Sequence, residues 1–336
     1  MGGFVLRRVL VTIPVVFCAL SLLFLLFFLV PGDPVDTLAG GGGQRAVSQS
    51  VRNNIEEKYG LNQPVANQFV GYWGRTLTGD LGTSYKTNTS VNDTVKRTLV
   101  ASARLAFWAI CIEVLIGISA GVLSAVKRYS FMDGLTTIST AAISALPVFV
   151  LGYLLQLVFG VYGGQHDWPQ WARLPVQGIG PDTWALGVIP TGDQWRYLVL
   201  PAFTLASVST ALVARLTRGT MLEVVRADYM RTARAKGLLE RHVVLRHGLR
   251  NAMIPVITYI GIDFATLMGS AIVTETVFNW PGMGSRLAEA ISAQDVPVVL
   301  GITLVIVVLY VTANLLVDLS YGWFDPRIRT SVREGR

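Results

Sequence analysis

Residues 9–30 read VLVTIPVVFCALSLLFLLFFLV, twenty-two positions without a charge. About 20 apolar residues in an α-helix, at 1.5 Å each, cross a hydrocarbon core roughly 30 Å thick, so length alone makes this run a membrane span. Five more runs follow: roughly Leu99 to Val126, interrupted by Arg104 and Glu113; Gly134 to Val161; Tyr197 to Leu216; Ala252 to Val273, which holds Asp263; and Val296 to Val317. They are too long for barrel strands and lack an alternation of period two. The expected fold is all-α and polytopic, with six transmembrane helices. Composition agrees, since 52% of the 336 residues are hydrophobic and 15% charged, against about 25% charged in ordinary soluble domains. Arg7 and Arg8 precede the first run as they would in a signal peptide. Its apolar length exceeds a signal core of about 7 to 15 residues, and no small-residue cleavage site follows promptly, so a retained span is expected.

The formal charge of +7 is unevenly spread. Arg7, Arg8, Lys127, Arg128, nine basic residues from Arg215 to Arg250, and Arg327, Arg329, Arg333 and Arg336 put 17 of the 28 Lys and Arg on one side. The other 11 lie mostly in the long segment from Pro31 to Thr98, where the positive-inside rule counts weakly. Both termini are therefore expected on the cytoplasmic side of the membrane, with membrane lipids, and not nucleic acid, facing the basic loops. The chain divides into residues 1–98, a first span with a long outer segment; 99–320, a five-helix core containing a loop at 218–250; and a tail at 321–336. Four glycines at Gly40 to Gly43 are not followed by the Lys and hydroxyl of a phosphate loop and read as a linker. A second outer segment, Tyr162 to Arg196, holds Trp168, Trp171, Trp184 and Trp195, residues that commonly anchor span ends at the interface; direct contact with substrate is the alternative.

Catalytic signatures are absent. There is no H-E-x-x-H or G-x-S-x-G, and His166, His242 and His247 do not share an i,i+4 ligand face. Cys18 and Cys111 sit inside apolar runs, which supports neither a disulfide framework nor a thiolate metal site. No metal site and no cofactor in this chain are expected, and transport is the function that remains. Glu113 and Asp263 are the ionisable groups well inside spans. A charge facing lipid costs about 2.5 to 3.5 kcal/mol on insertion scales, so the two either face a water-filled substrate pathway or hydrogen-bond between helices. Small residues point to close helix packing: Gly117 with Gly121, and Gly261, Ala265 and Gly269 at four-residue intervals.

The loop from Arg218 to Arg250 carries eight basic and three acidic residues. Within it Asp228 to Gly237 reads DYMRTARAKG, a short helix with an acid at its start, bases at its end and Gly237 as a left-handed stop. Its small residues and early Tyr229 suit a groove on another protein. A basic loop lying against lipid headgroups is the plainer alternative.

Ala233 to Pro255, with A-R-A-K-G followed after a spacer by Ile254-Pro255, resembles the EAA coupling loop of binding-protein-dependent ABC importer permeases. RRVLVTIPVVF leading to PGDP at Pro31 to Pro34, LNQPV at Leu61 to Val65, GDLGTSY at Gly79 to Tyr85, TETVFNWPGMG at Thr274 to Gly284 and NLLVDLSYGWFDPRIR at Asn314 to Arg329 are similar, in the same order, to the B-type permease subunit of oligopeptide and dipeptide importers of the peptide/nickel class. The resemblance implies a type I importer permease fold and transport of dipeptides or oligopeptides by alternating access. It also implies a paired C-type permease subunit, one or two cytoplasmic ATPase subunits that bind the ATP and magnesium, and an extracytoplasmic solute-binding protein. On that pattern Tyr229, Arg231, Thr232, Ala233, Arg234, Ala235, Lys236, Gly237 and Leu238 form the ATPase-coupling segment. The chain departs from it at Ala233, where the general motif begins with Glu, and at Gly163 to Arg196, which is longer and richer in tryptophan. A self-sufficient ion-coupled carrier or channel for small solutes is the alternative.

Overall fold

The computed structural model describes residues 2–29, 53, 56, 62–181 and 183–324. The PGDP and glycine-run readings and most of the tail at 321–336 fall outside the described residues. Two compact units emerge, one of Met1–Val100 with Gly282–Val311 and one of Ala101–Pro281 with Thr312–Arg336.

In the first unit, α1 (Gly2–Leu29) contains residues 9–29 of the opening apolar run. The amphipathic α2 (Val65–Leu77) lies against it through aromatic rings: Phe17 stands 4.8 Å from Trp73 and Phe24 5.5 Å from Tyr72, centroid to centroid. The GDLGTSY stretch forms a closed loop before α3 (Val91–Val126). Asn92 ties its start twice, accepting from the Leu81 N–H at 2.9 Å and donating to the Gly79 carbonyl at 2.7 Å. After α9 (Met283–Ser292), Asp295 stands at the entrance to α10 (Val296–Phe324) and receives the Ser84 hydroxyl at 2.5 Å and the Tyr85 N–H at 2.9 Å. That carboxylate, 1% exposed, explains why a short polar motif and a residue more than 200 positions later belong together.

The second unit is built around α6 (Gln194–Val225), 32 residues and so about 48 Å long. It packs against α3, α4 (Phe131–Ala145), α5 (Val148–Gln165) and α8 (Arg250–Val277). Close approach of α3 and α6 is set by the predicted glycines. A Cβ on Gly121 would stand 2.6 Å from the Ala214 carbonyl and 2.6 Å from Thr217 Cβ, and one on Gly117 2.8 Å from Val213. Gly269 is different: a Cβ there meets nothing within 4 Å, so the Gly261, Ala265, Gly269 stripe is not a close contact at that position within the chain.

The run from Gly134 to Val161 is not one span. It breaks into α4 and α5 at Leu146-Pro147, where the proline ring disfavours the helical region for the residue before it and Leu146 is extended at φ −89°, ψ 133°. Among the described residues four helices are long and apolar enough to cross a membrane: Val91–Val126, Val148–Gln165, Gln194–Val225 and Val296–Leu315. A fifth candidate, Glu240–Phe264 with Thr266–Val277, is bent by 55°.

The TETVFNWPGMG motif closes the core of this unit. Trp280 is fully buried among Ala101, Leu105, Leu198 and Ala202, and its indole N–H donates to the Ala101 carbonyl at 3.0 Å. Ser102 donates to Glu275 at 2.5 Å. Gln156 donates to the carbonyls of Val176 and Val277 at 2.7 and 3.0 Å. The tryptophan-rich segment folds partly as a hairpin of β1 (Trp184–Ala185) and β2 (Ile189–Pro190) docked on α3. Arg104 stacks 4.4 Å over Trp184 and donates to the Gly187 carbonyl at 2.7 Å, while Trp108 donates to Val188.

Candidate functional site

Between α6 and α8 the chain forms α7 (Asp228–Ala235), the helix expected from DYMRTARAKG. Asp228 opens it, complementing the helix dipole, and pairs with Arg231 at 3.6 Å on an exposed surface. The end is set by Gly237 at φ +76°, whose N–H donates to the Arg234 carbonyl at 2.9 Å. That left-handed conformation is costly for a residue with a Cβ. Arg234 then grips Glu240 with Nε and Nη2, at 3.1 and 2.9 Å, fixing the turn out of the helix. Such an exposed pair contributes little stability by itself but restrains direction.

Eight residues make about two turns, and only one stripe of them is enclosed. Met230 and Ala233 point inward onto Val243, beside Val224 and Val225. Ala233 is therefore not part of the surface offered to a partner; it lets α7 sit close to its own chain. Tyr229, Arg231, Thr232, Arg234, Ala235, Lys236, Gly237 and Leu238 are exposed, although Tyr229 also accepts from Asn251 Nδ2 at 3.0 Å. The outer face is thus basic, with an aromatic ring at one end and Leu238 and Leu239 at the other.

Glu113 and Asp263, predicted from different spans, meet. Glu113 is fully buried at the start of a π-helical segment, Glu113–Ile118, and its carboxyl faces that of Asp263. Tyr259 donates to Asp263 Oδ1 at 3.2 Å. Apart from the contact between the two carboxyls, among the described residues no donor reaches either Glu113 oxygen or Asp263 Oδ2. The enclosing helices shield both groups from lipid, which is where an unpaired charge costs most.

A third polar centre was not anticipated. Asp133, in the first turn of α4, takes Arg218 Nε at 2.8 Å and Nη2 at 3.1 Å, the Ser124 hydroxyl at 2.5 Å and the Tyr129 N–H at 2.9 Å. The Arg218 guanidinium first, then Ser124 and the Tyr129 N–H, hold the Asp133 carboxyl far below the usual carboxylate range. The spacing of Ser130 and Asp133 is a legible helix-start signal, and the Ser130 hydroxyl accepts the Asp133 N–H. Nothing local in the sequence points from Asp133 to Arg218.

Several long apolar helices, a short helix with a basic exposed face and buried carboxyls on two of the apolar helices define a polytopic α-helical membrane protein. Residues 117–330 match the family described as binding-protein-dependent transport system inner membrane component, and residues 1–106 match its N-terminal family. The chain belongs to the binding-protein-dependent transport system inner membrane component family. It is 36% identical to the dipeptide transport system permease protein DppB of Alkalihalophilus pseudofirmus, over 98% of this chain and 100% of that one. It is 40% identical to the probable peptide ABC transporter permease protein y4tP of Sinorhizobium fredii, over 98% and 100%. With the glutathione transport system permease protein GsiC of Escherichia coli it shares 37% identity, over 98% and 99%. The protein is a multi-pass inner-membrane permease.

Proposed function

We propose that this chain is one permease subunit of an ATP-driven importer that moves dipeptides or oligopeptides into the cell by alternating access. The observation that carries the proposal is likeness along 98% of the chain to permeases named for dipeptide, peptide and glutathione transport. On this account a C-type permease completes the pathway, one or two ATPase subunits bind ATP and magnesium, and a solute-binding protein delivers the peptide. Both termini and α7 lie on the cytoplasmic side, lipid surrounds the spans, and this chain itself is not an enzyme. The exposed face of α7, from Tyr229 through Arg231, Thr232, Arg234, Ala235 and Lys236 to Gly237 and Leu238, docks in the ATPase, with Ala233 holding it from behind. Nucleotide-driven closure then moves the spans as rigid bodies. Enclosure of Glu113 and Asp263 between α3 and α8 supports helix-to-helix contact over direct contact with substrate.

Tagging the C-terminus, extracting gently from native membranes and identifying the stoichiometric co-purifying chains tests this. An ATPase and a second permease are expected. Recovery of this chain alone, still competent in transport, would overturn it.

A further inference from the structure

The α7 helix is packed into the end of the spans. Met230 and Ala233 rest on Val243 with Val224 and Val225 of α6 against them. The adjoining cluster joins Met221 of α6 to Ala125 of α3 and to Val244 and Ala252, with Val224 and Val225 again at its edge. The shared valines make α7 and the ends of α3 and α6 one close-packed block, and such blocks shift as units more readily than they deform.

The α4 helix has no side chain in either cluster. Its two enclosed side chains are polar, Asp133 and Thr140. What fastens α4 to the block is the bidentate Asp133–Arg218 pair, with the Ser124 hydroxyl shared between Asp133 at 2.5 Å and Arg218 Nε at 3.0 Å. Farther along, Arg215 of α6 donates to Ser144 at 2.9 Å near the other end of α4. A charged, two-point contact fixes direction as well as distance. Through the Leu146-Pro147 break α4 leads directly into the α5 span, so a displacement of α4 is passed to a membrane-crossing helix.

We propose that Asp133 and Arg218, bridged by Ser124, are positioning residues of the transport cycle, the tie that makes α4 and α5 follow the coupling helix. This rests on the function proposed above. When α7 is moved by its ATPase, the apolar block carries Arg218, and Arg218 carries α4. Without the pair, the block moves and α4 lags.

The whole complex, purified from membranes and reconstituted in vesicles with its binding protein, is assayed for ATP hydrolysis and for uptake of a labelled tripeptide. Asp133→Asn should co-purify with its ATPase, hydrolyse ATP within twofold of wild type, and lose at least tenfold in peptide moved per ATP. Asp133→Glu should recover most of that ratio, and Ser124→Ala and Arg218→Lys should lose two- to fivefold. A purely structural role would lower hydrolysis and uptake in proportion. An unchanged or proportionally reduced ratio in Asp133→Asn overturns the tie. If Asp133→Asn does not assemble, unchanged ratios in both Ser124→Ala and Arg218→Lys overturn it, and reduced ratios support it. Wild-type complex without ATP-dependent uptake overturns the proposed function and the tie with it, a result distinct from wild-type uptake with an unaltered variant.

Discussion

Gly121→Ala is expected to destabilise the chain, although alanine is the better helix former. The new methyl carbon would lie 2.6 Å from the Ala214 carbonyl and 2.6 Å from Thr217 Cβ, one a backbone atom and the other the root of a branched side chain. Neither can swing aside as the tip of a long side chain would. Restoring ordinary contact needs α3 and α6 to part by about 1 Å, in the overpacking regime that costs about 1–3 kcal/mol. Two obstructions on the facing helix, neither at the end of a flexible side chain, put the site near the top of that range. Against it stands the gain of about 1 kcal/mol from replacing a helical glycine, leaving a net loss of about 2 kcal/mol. Gly219→Ala, two turns from the end of α6, is the internal control: it has open space around the added carbon, so it keeps the helical gain and should be stabilised. Both are measured as equilibrium unfolding of the detergent-solubilised chain, followed by tryptophan fluorescence. If Gly121→Ala is as stable as Gly219→Ala, glycine-mediated approach of α3 and α6 is wrong.

Ala233→Glu places a charge in a site 8% exposed and should make the loop sensitive to protease, whereas Lys236→Glu should leave the loop intact and weaken recovery of the ATPase. Asp295→Ala removes the acceptor for Ser84 and Tyr85; hydrogen bonds to a charged group contribute about 1.5–3 kcal/mol each, so a loss of about 3 kcal/mol and new cleavage within residues 79–90 are expected. The depressed carboxyl of Asp133 predicts a pH signature. Its contribution is complete above the unfolded value of about 3.9 and disappears only as acid protonates the folded group. The stability gap between wild type and Asp133→Asn should therefore stay constant from pH 8 to 5 and close below about pH 4, and a gap that closes near neutrality would show that the pair does not hold Asp133 ionised.

Much of this architecture was legible because membrane spans are written in long apolar runs and close helix contacts in small residues, as at Gly117 and Gly121. The break at Leu146-Pro147 was also written in the sequence, but an apolar run read for length conceals it. Burial of Ala233 was not legible: in an eight-residue helix the enclosed face depends on where Val243 arrives from the next segment. Asp133 and Arg218 are 85 positions apart, and Glu113 and Asp263 farther still. Such pairs are fixed by helix packing, which no local pattern records. GDLGTSY and TETVFNWPGMG carried a family resemblance, and the structure supplies its physical content: an Asp295-anchored loop in one case, and the Trp280 seal with its Ser102–Glu275 bond in the other.

The measurement that bears most directly on the central claim is uptake of a labelled tripeptide into vesicles holding the purified complex and its binding protein, with ATP present or absent on the face carrying α7. Uptake that requires ATP and is abolished by an ATPase subunit unable to hydrolyse it is the predicted result. Uptake by this chain alone, driven by an imposed ion gradient and indifferent to ATP, would contradict the account.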